Sequence, residues 1–166
     1  MQLPAWPEVQ AICDWVQRHI TFGYQFARPT KSARDVYTER QGGCRDYRHL
    51  ASAFCRAMHL PALYATGYLG DIGVPVALPM DFSAWFEVYL GDRWWTFDAC
   101  NNRPRIGRVL MATGRDAADV ALTTTFGASW LNRFSVVTDE VAEPVLRQEY
   151  LPCDGQRLTT YTSQSA

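Results

Sequence analysis

The sequence predicts an α+β domain in which helices come first and antiparallel strands follow. Three observations carry this. Apolar residues recur at helical spacing through the first sixty positions. Past Pro61 the runs become short, aromatic and β-branched, with hairpin-turn signals between them. Apolar residues make up 48% of the 166 and aromatic residues 13%, enough to build one sizeable core.

Residues 7–20 read as the first helix, because Pro7 suits a first turn and Val9, Ile12, Val16 and Ile20 fall on one stripe. Residues 22–30 read as a loop around Gly23 and Pro29, and residues 32–39 as a short helix. After Gly42-Gly43 the helical pattern resumes over 44–59: Leu50, Phe54 and Met58 form one row, with Ala51 and Cys55 beside it. Pro61 stops that helix. Strands are predicted over 63–69, 82–90 and 93–99, the last two joined by the turn dipeptide Gly91-Asp92. Further strands are predicted over 108–112, 120–126 and 134–141. The whole is read as one domain over 1–152 and a polar, frayed tail over 153–166.

Charge and cysteine usage narrow the function classes. A net charge of −1 argues against a nucleic-acid partner, which needs a basic face. No apolar run approaches the roughly 18 residues of a membrane span, and the first twenty residues lack a signal-peptide layout. The five cysteines are Cys13, Cys44, Cys55, Cys100 and Cys153. They show no short paired spacing, which argues against a metal site and for reduced thiols in the cytoplasm. No cofactor is implied, and the oligomeric state is not encoded in any motif.

Cys44 follows two glycines at a helix start, where free N–H groups and the helix dipole favour a thiolate. The same N–H groups are donors for an oxyanion. Gly42 and Gly43 permit the close approach, Arg45 adds positive charge, and Asp46 is a favourable first-turn residue. Cys13 and Cys55 read as buried structural thiols.

These segments resemble the transglutaminase-like superfamily, in its bacterial cysteine-protease-like branch. Gly42-Gly43-Cys44-Arg45-Asp46-Tyr47 matches the family's Gly-x-Cys-x-Asp helix start. Ser83-Ala84-Trp85-Phe86-Glu87-Val88 matches its His-Ala-Trp-x-Glu-Val strand at every position but the first. Trp94-Trp95-Thr96-Phe97-Asp98 matches the partner strand ending in Phe-Asp, and Gly114-Arg115-Asp116-Ala117-Ala118-Asp119-Val120 matches a Gly-Arg-Asp-x-x-Asp-Val stretch. Residues 60–68 are similar to the family's strand after the nucleophile helix, so the likeness runs from about Ala11 to Gly127. It implies a papain-like core, with the nucleophile helix packed on an antiparallel sheet. It also implies a Cys-His-Asp triad in which Cys44 and Asp98 hold two corners and Ser83 stands where histidine is expected.

Serine cannot act as the base that deprotonates a thiol and then protonates the leaving group. Of the three histidines, His49 is five residues past Cys44, about 140° around a helix of 3.6 residues per turn, and so is expected to point away. His19 and His59 suit helix C-termini. Asp81, two residues before Ser83, reads either as a weak substitute base or as a solvated strand-entry carboxylate. Gly43, Asp81 and Trp85 are candidate cleft residues. Trp94 and Trp95 fit cross-strand aromatic pairing. Arg103, Arg105, Arg108 and Arg115 read either as a site for an anionic ligand or, with Asp116 and Asp119 nearby, as a solvated or internally paired loop. Two readings follow. One is a cysteine hydrolase or acyl transferase acting on peptide or amide bonds. The other is a pseudoenzyme that binds a peptide or protein in the same cleft.

Overall fold

A computed structural model describes residues 5–76, 80 and 82–139, and the backbone of 150–153 and 156–159. Helix α1 (Trp6–His19) begins with Pro7 in its first turn and buries Val9, Ile12, Cys13 and Val16. A two-residue strand β1 (Thr21–Phe22) and a 3₁₀ turn (Tyr24–Phe26) follow. Helix α2 (Ala33–Glu39) is capped by Ser32, whose hydroxyl accepts from Asp35 N while Asp35 accepts from Ser32 N. Strand β2 (Gln41–Gly42) pairs in parallel with β1, and helix α3 (Cys44–Ala57) starts directly after Gly43.

Four antiparallel strands form the sheet: β3 (Ala62–Leu69), β4 (Phe82–Leu90), β5 (Arg93–Phe97) and β6 (Arg108–Gly114), in the order β5-β4-β3-β6. The β4–β5 turn is Gly91-Asp92, with Gly91 at φ 71°, the left-handed region that favours glycine. A register shift at Thr66/Gly67 lets β6 cross close to β3; a Cβ on Gly67 would fall 1.9 Å from the Val109 carbonyl oxygen. One sheet face packs on α3, and α1 and α2 pack on the other flanks of that helix. The core joins Val9, Val16, Val36, Leu50, Ala51, Phe86, Val88 and Phe97. Burying each such side chain contributes about 1.5–3 kcal/mol. This is the α+β, papain-like arrangement the sequence predicts.

The predicted helices and the first three sheet strands fall within two residues of their observed bounds. Four details differ from the sequence reading. The strand expected to reach Ala99 ends at Phe97, because the Asp98 carboxylate accepts from the backbone N–H of Cys100 and Asn101 and turns the chain. Residues 120–126 form no strand. The turn at 115–119 is fixed by Asp119 and Asp116 accepting backbone N–H groups, and Val120 then drops into a small cluster with Tyr64 and Ala84. Its β-branched run has strand propensity, but among the described residues it pairs with no strand. Residues 134–139 likewise form no strand; 140 and 141 lie outside the described residues. At the end of the chain, β7 (Tyr150–Cys153) and β8 (Gln156–Thr159) pair as a hairpin where a frayed tail was expected from composition. The intervening dipeptide in sequence is Asp154-Gly155, a hairpin-turn signal.

Candidate active site

Cys44 occupies the first turn of α3, where helix geometry leaves the leading N–H groups without intrahelical acceptors. Asp46 secures that start: its buried carboxylate accepts from Gly43 N at 2.9 Å and from the Arg45 guanidinium. Gly42 is needed for this packing, since a Cβ there would lie 2.6 Å from Asp46 Cβ. Arg45 does not serve the thiol. Its guanidinium is held by Asp46 and by the carbonyls of Pro29 and Arg28.

The cation beside the thiol is Arg48, one turn on and fully buried. It donates to the Cys44 carbonyl at 2.6 Å and to Asp98 Oδ1 at 2.9 Å. Asp98 is itself buried. It also accepts from Asn101 Nδ2 at 2.7 Å, from the backbone turn after β5, and from Arg108 at 3.4 Å. Burial works to raise its carboxyl, but Arg48, the Asn101 donors and Arg108 hold it below the usual carboxylate range.

That turn presents a second thiol. Cys100 Sγ lies 3.7 Å from Cys44 Sγ. The hydrogen bond from Cys100 is the largest influence on Cys44; burial opposes it, and the Arg48 guanidinium adds to it, bringing the Cys44 thiol down to about 6. Cys100 moves the other way, raised first by its bond to Cys44 and then by burial. The contact and the Arg48 charge thus favour the thiolate at Cys44 and the protonated thiol at Cys100.

Cys44 opens on a cleft of about 630 Å³ whose walls include Arg45, His49, Tyr64, Thr66, Phe82, Ser83, Ala84 and Val120. Ser83 thus shares the cleft with the nucleophile. Along β4, Phe86, Val88 and Leu90 pack in the core with α3, so Ser83 and Trp85 alternate to the opposite face. Among the described residues no hydrogen bond links Ser83 to Asp98 or to Cys44. Asp98 faces a separate cavity of about 440 Å³ with Asn102, Arg103, Arg105 and Arg108. The expected chain from cysteine through position 83 to Asp98 is replaced by one from Cys44 through Arg48 to Asp98.

The other expectations divide. His49 does not point away; it lies on the cleft wall, half-buried, because a side chain in the second turn of α3 still borders a groove that runs along the helix. Burial lowers its pKa, which Asp116 partly offsets, and among the described residues no hydrogen bond joins it to Cys44. His19 stacks on Trp15 and contacts the Trp15 carbonyl, and His59 is an exposed residue just past α3. Trp85 is not a cleft residue: it is 2% exposed and packs under the Arg108 guanidinium. Gly43 is buried as the helix cap rather than lining the cleft. Asp81 lies outside the described residues. Trp94 pairs with Tyr89 across the hairpin, and Trp95 with Trp6 and Arg93. Arg105, Arg108 and Arg115 are paired with Asp71, Asp98 and Asp116.

Sequence reasoning overlooked Arg48 and Cys100. The first was legible as an arginine at i+4 from the nucleophile within an otherwise apolar helix face. The second sits only two residues after Asp98, but 56 residues from Cys44, so spacing alone did not unite the two thiols.

Comparison with known proteins places the fold. The chain is 32% identical over 131 residues to uncharacterized proteins of Mycobacterium tuberculosis and Mycobacterium bovis, a match covering 71% of this chain and 42% of theirs. It thus spans less than half the length of the curated relatives it matches. The crystal structure of a "putative cysteine protease" from Cytophaga hutchinsonii superposes with a TM-score of 0.64 at 38% identity, covering 78% of this chain and 50% of that one. Residues 3–99 match the transglutaminase-like superfamily, and with this match over more than half its length the chain belongs to that family.

Proposed function

We propose that the protein is a cysteine hydrolase or acyl transferase that attacks peptide or amide carbonyls with Cys44. The observation that supports this best is the placement of Cys44 at a helix start beside Arg48 and Cys100, open to a cleft. A volume of about 630 Å³ suits a side chain or short peptide segment.

Because the thiolate is preformed, the first step needs no base at position 83. The sulfur attacks the carbonyl carbon, and the resulting oxyanion is met by the leading N–H groups of α3. The C–N bond then breaks, and the departing amine takes a proton from the Cys100 thiol or from water. Water, or a second amine, cleaves the thioester and returns the sulfur. In this scheme Asp98 is a positioning residue: it fixes Arg48 and, through its backbone contacts, the turn that carries Cys100. The partner is a peptide or protein substrate; the net charge of −1 gives no electrostatic basis for a nucleic-acid partner.

A second reading is favoured by one observation, the pairing of Asp98 with Arg48, which engages the carboxylate expected to orient an imidazole. On that reading the cleft binds a peptide without turnover. Incubation with p-nitrophenyl acetate separates the two. Release of p-nitrophenol beyond one equivalent per chain, lost in Cys44→Ala, supports the enzyme; an acyl adduct on Cys44 that stops at one equivalent supports binding without turnover. No Cys44-dependent acylation at all would overturn the enzyme reading.

A further inference from the structure

The two thiols at the site have a chemistry of their own, separate from acyl transfer. Their sulfurs are 3.7 Å apart, and each side chain is held from its own backbone. Cys44 is fixed by the α3 start, and Cys100 by the Asp98 turn, whose carboxylate accepts from Cys100 N at 3.0 Å and Asn101 N at 3.1 Å. A disulfide needs the sulfurs at about 2.05 Å, so the two side chains must close the remaining gap. Both cysteines are partly exposed, whereas Cys13 and Cys55 are sealed in the core at 1% and 0% exposure.

We propose that Cys44 and Cys100 form a redox-active dithiol, in which a hydroperoxide oxidises Cys44 and Cys100 resolves it to an intramolecular disulfide. The Cys44 thiolate attacks the terminal peroxide oxygen; the O–O bond breaks, and the leaving alkoxide (hydroxide from hydrogen peroxide) is protonated. Cys44 is then a sulfenic acid. The Cys100 sulfur attacks the Cys44 sulfur, the S–O bond breaks, and the departing hydroxide takes the Cys100 proton to leave as water. Overall, two thiols and one hydroperoxide give one disulfide, one alcohol or water, and a further water. The two electrons pass from the sulfurs to the peroxide. A depressed thiol pKa at Cys44 makes it the attacking sulfur, and Arg48 stabilises it in that state. Closure withdraws the nucleophile from the cleft, so oxidation also silences the acyl chemistry until a thiol reductant reopens it.

The test does not depend on any acyl-transfer activity. The full chain is treated with hydrogen peroxide, quenched with iodoacetamide, digested without reduction and mapped by mass spectrometry. The expected result is a Cys44–Cys100 linked peptide pair, formed in most molecules, with the loss of two titratable thiols per chain, both reversed by dithiothreitol. In Cys100→Ser, Cys44 instead advances to sulfinic acid. Three results would overturn the proposal: wild-type Cys44 reaching sulfinic acid while Cys100 still alkylates, Cys44 linked to a different cysteine, or neither thiol consumed. Should Cys100→Ser fail to fold, the wild-type map decides alone. Acylation of Cys44 by p-nitrophenyl acetate is read separately, so failure of the dithiol and failure of the acyl-transfer reading remain distinguishable.

Discussion

Helix α3 carries two cysteines with opposite fates. Cys44 stands at its first turn and Cys55 near its last. The Cys55 thiol is pushed up to about 12 by burial, the slight help of Arg56 notwithstanding, while the Cys44 thiol is brought down to about 6 although it too is largely enclosed. Cys44 is partly exposed and Cys55 is not, but the groups beside each sulfur set the direction of the shift. Cys44 has a thiol donor 3.7 Å away, a buried guanidinium one turn on, and the helix start behind it; Cys55 has apolar core. The same element makes one thiol a nucleophile and the other a small hydrophobe, because reactivity is set by the groups that reach the sulfur.

The sharpest way to break this contrast is direct competition for a thiol reagent. In native protein at pH 7, Cys44 should alkylate faster than Cys55 by about 10³-fold or more, as their thiolate fractions dictate. Peptide mapping of partially alkylated protein reads both sites at once, and equal labelling would dissolve the distinction. Next in size is the support beneath Cys44. Asp98→Ala leaves the buried Arg48 without its carboxylate, and urea unfolding should show a loss of about 3–5 kcal/mol. A loss below 1 kcal/mol would show that the pair does not organise the site. Because the folded-state Asp98 carboxyl lies below its ordinary 3.8, its stabilisation is fully present above that pH and is lost only as pH falls through the lower, folded value.

Removing the cation alone should move Cys44 toward Cys55. Arg48→Met keeps the bulk but not the charge, and for a one-unit rise in the thiol pKa the Cys44 alkylation rate at pH 5 should fall about tenfold. A shift of the inflection in the rate–pH profile separates this from simple loss of access. The smallest effect concerns position 83. Restoring an imidazole with Ser83→His should raise thioester or amide turnover by less than about tenfold, against the 10²–10⁴ of an oriented acid–base group. The reason is that Asp98, which would orient that imidazole, is taken by Arg48, and the thiolate is already formed. A gain of 10²-fold or more would mean that Arg48 yields Asp98 to the histidine.

Much of this was legible in the sequence, and the gaps have physical causes. Gly42-Gly43, Asp46 and the stripe through Leu50 specify the nucleophile helix locally, and Gly91-Asp92 specifies the hairpin, so both were found. The strand expected over 120–126 failed because strand propensity at Val120 to Phe126 says nothing about a neighbouring edge, and a strand exists only in a pair. Trp85 was placed in the cleft because its motif neighbour is Ser83. In the fold Ser83 borders the cleft near the start of β4, whereas Trp85, two residues further along, is buried beneath Arg108. The Arg48–Asp98 ion pair and the Cys44–Cys100 contact join positions 50 and 56 residues apart. Such partnerships are properties of chain packing, and residue spacing carries no trace of them.

The central claim is that Cys44 is a preformed thiolate supported by Arg48 and Cys100. The measurement that tests it most directly is the pH dependence of Cys44 alkylation by iodoacetamide, followed by mass spectrometry from pH 4.5 to 10. The rate is predicted to rise through an inflection near 6 and to be flat above about pH 7. A rate still climbing through an ordinary thiol inflection near about 8.5 would contradict it.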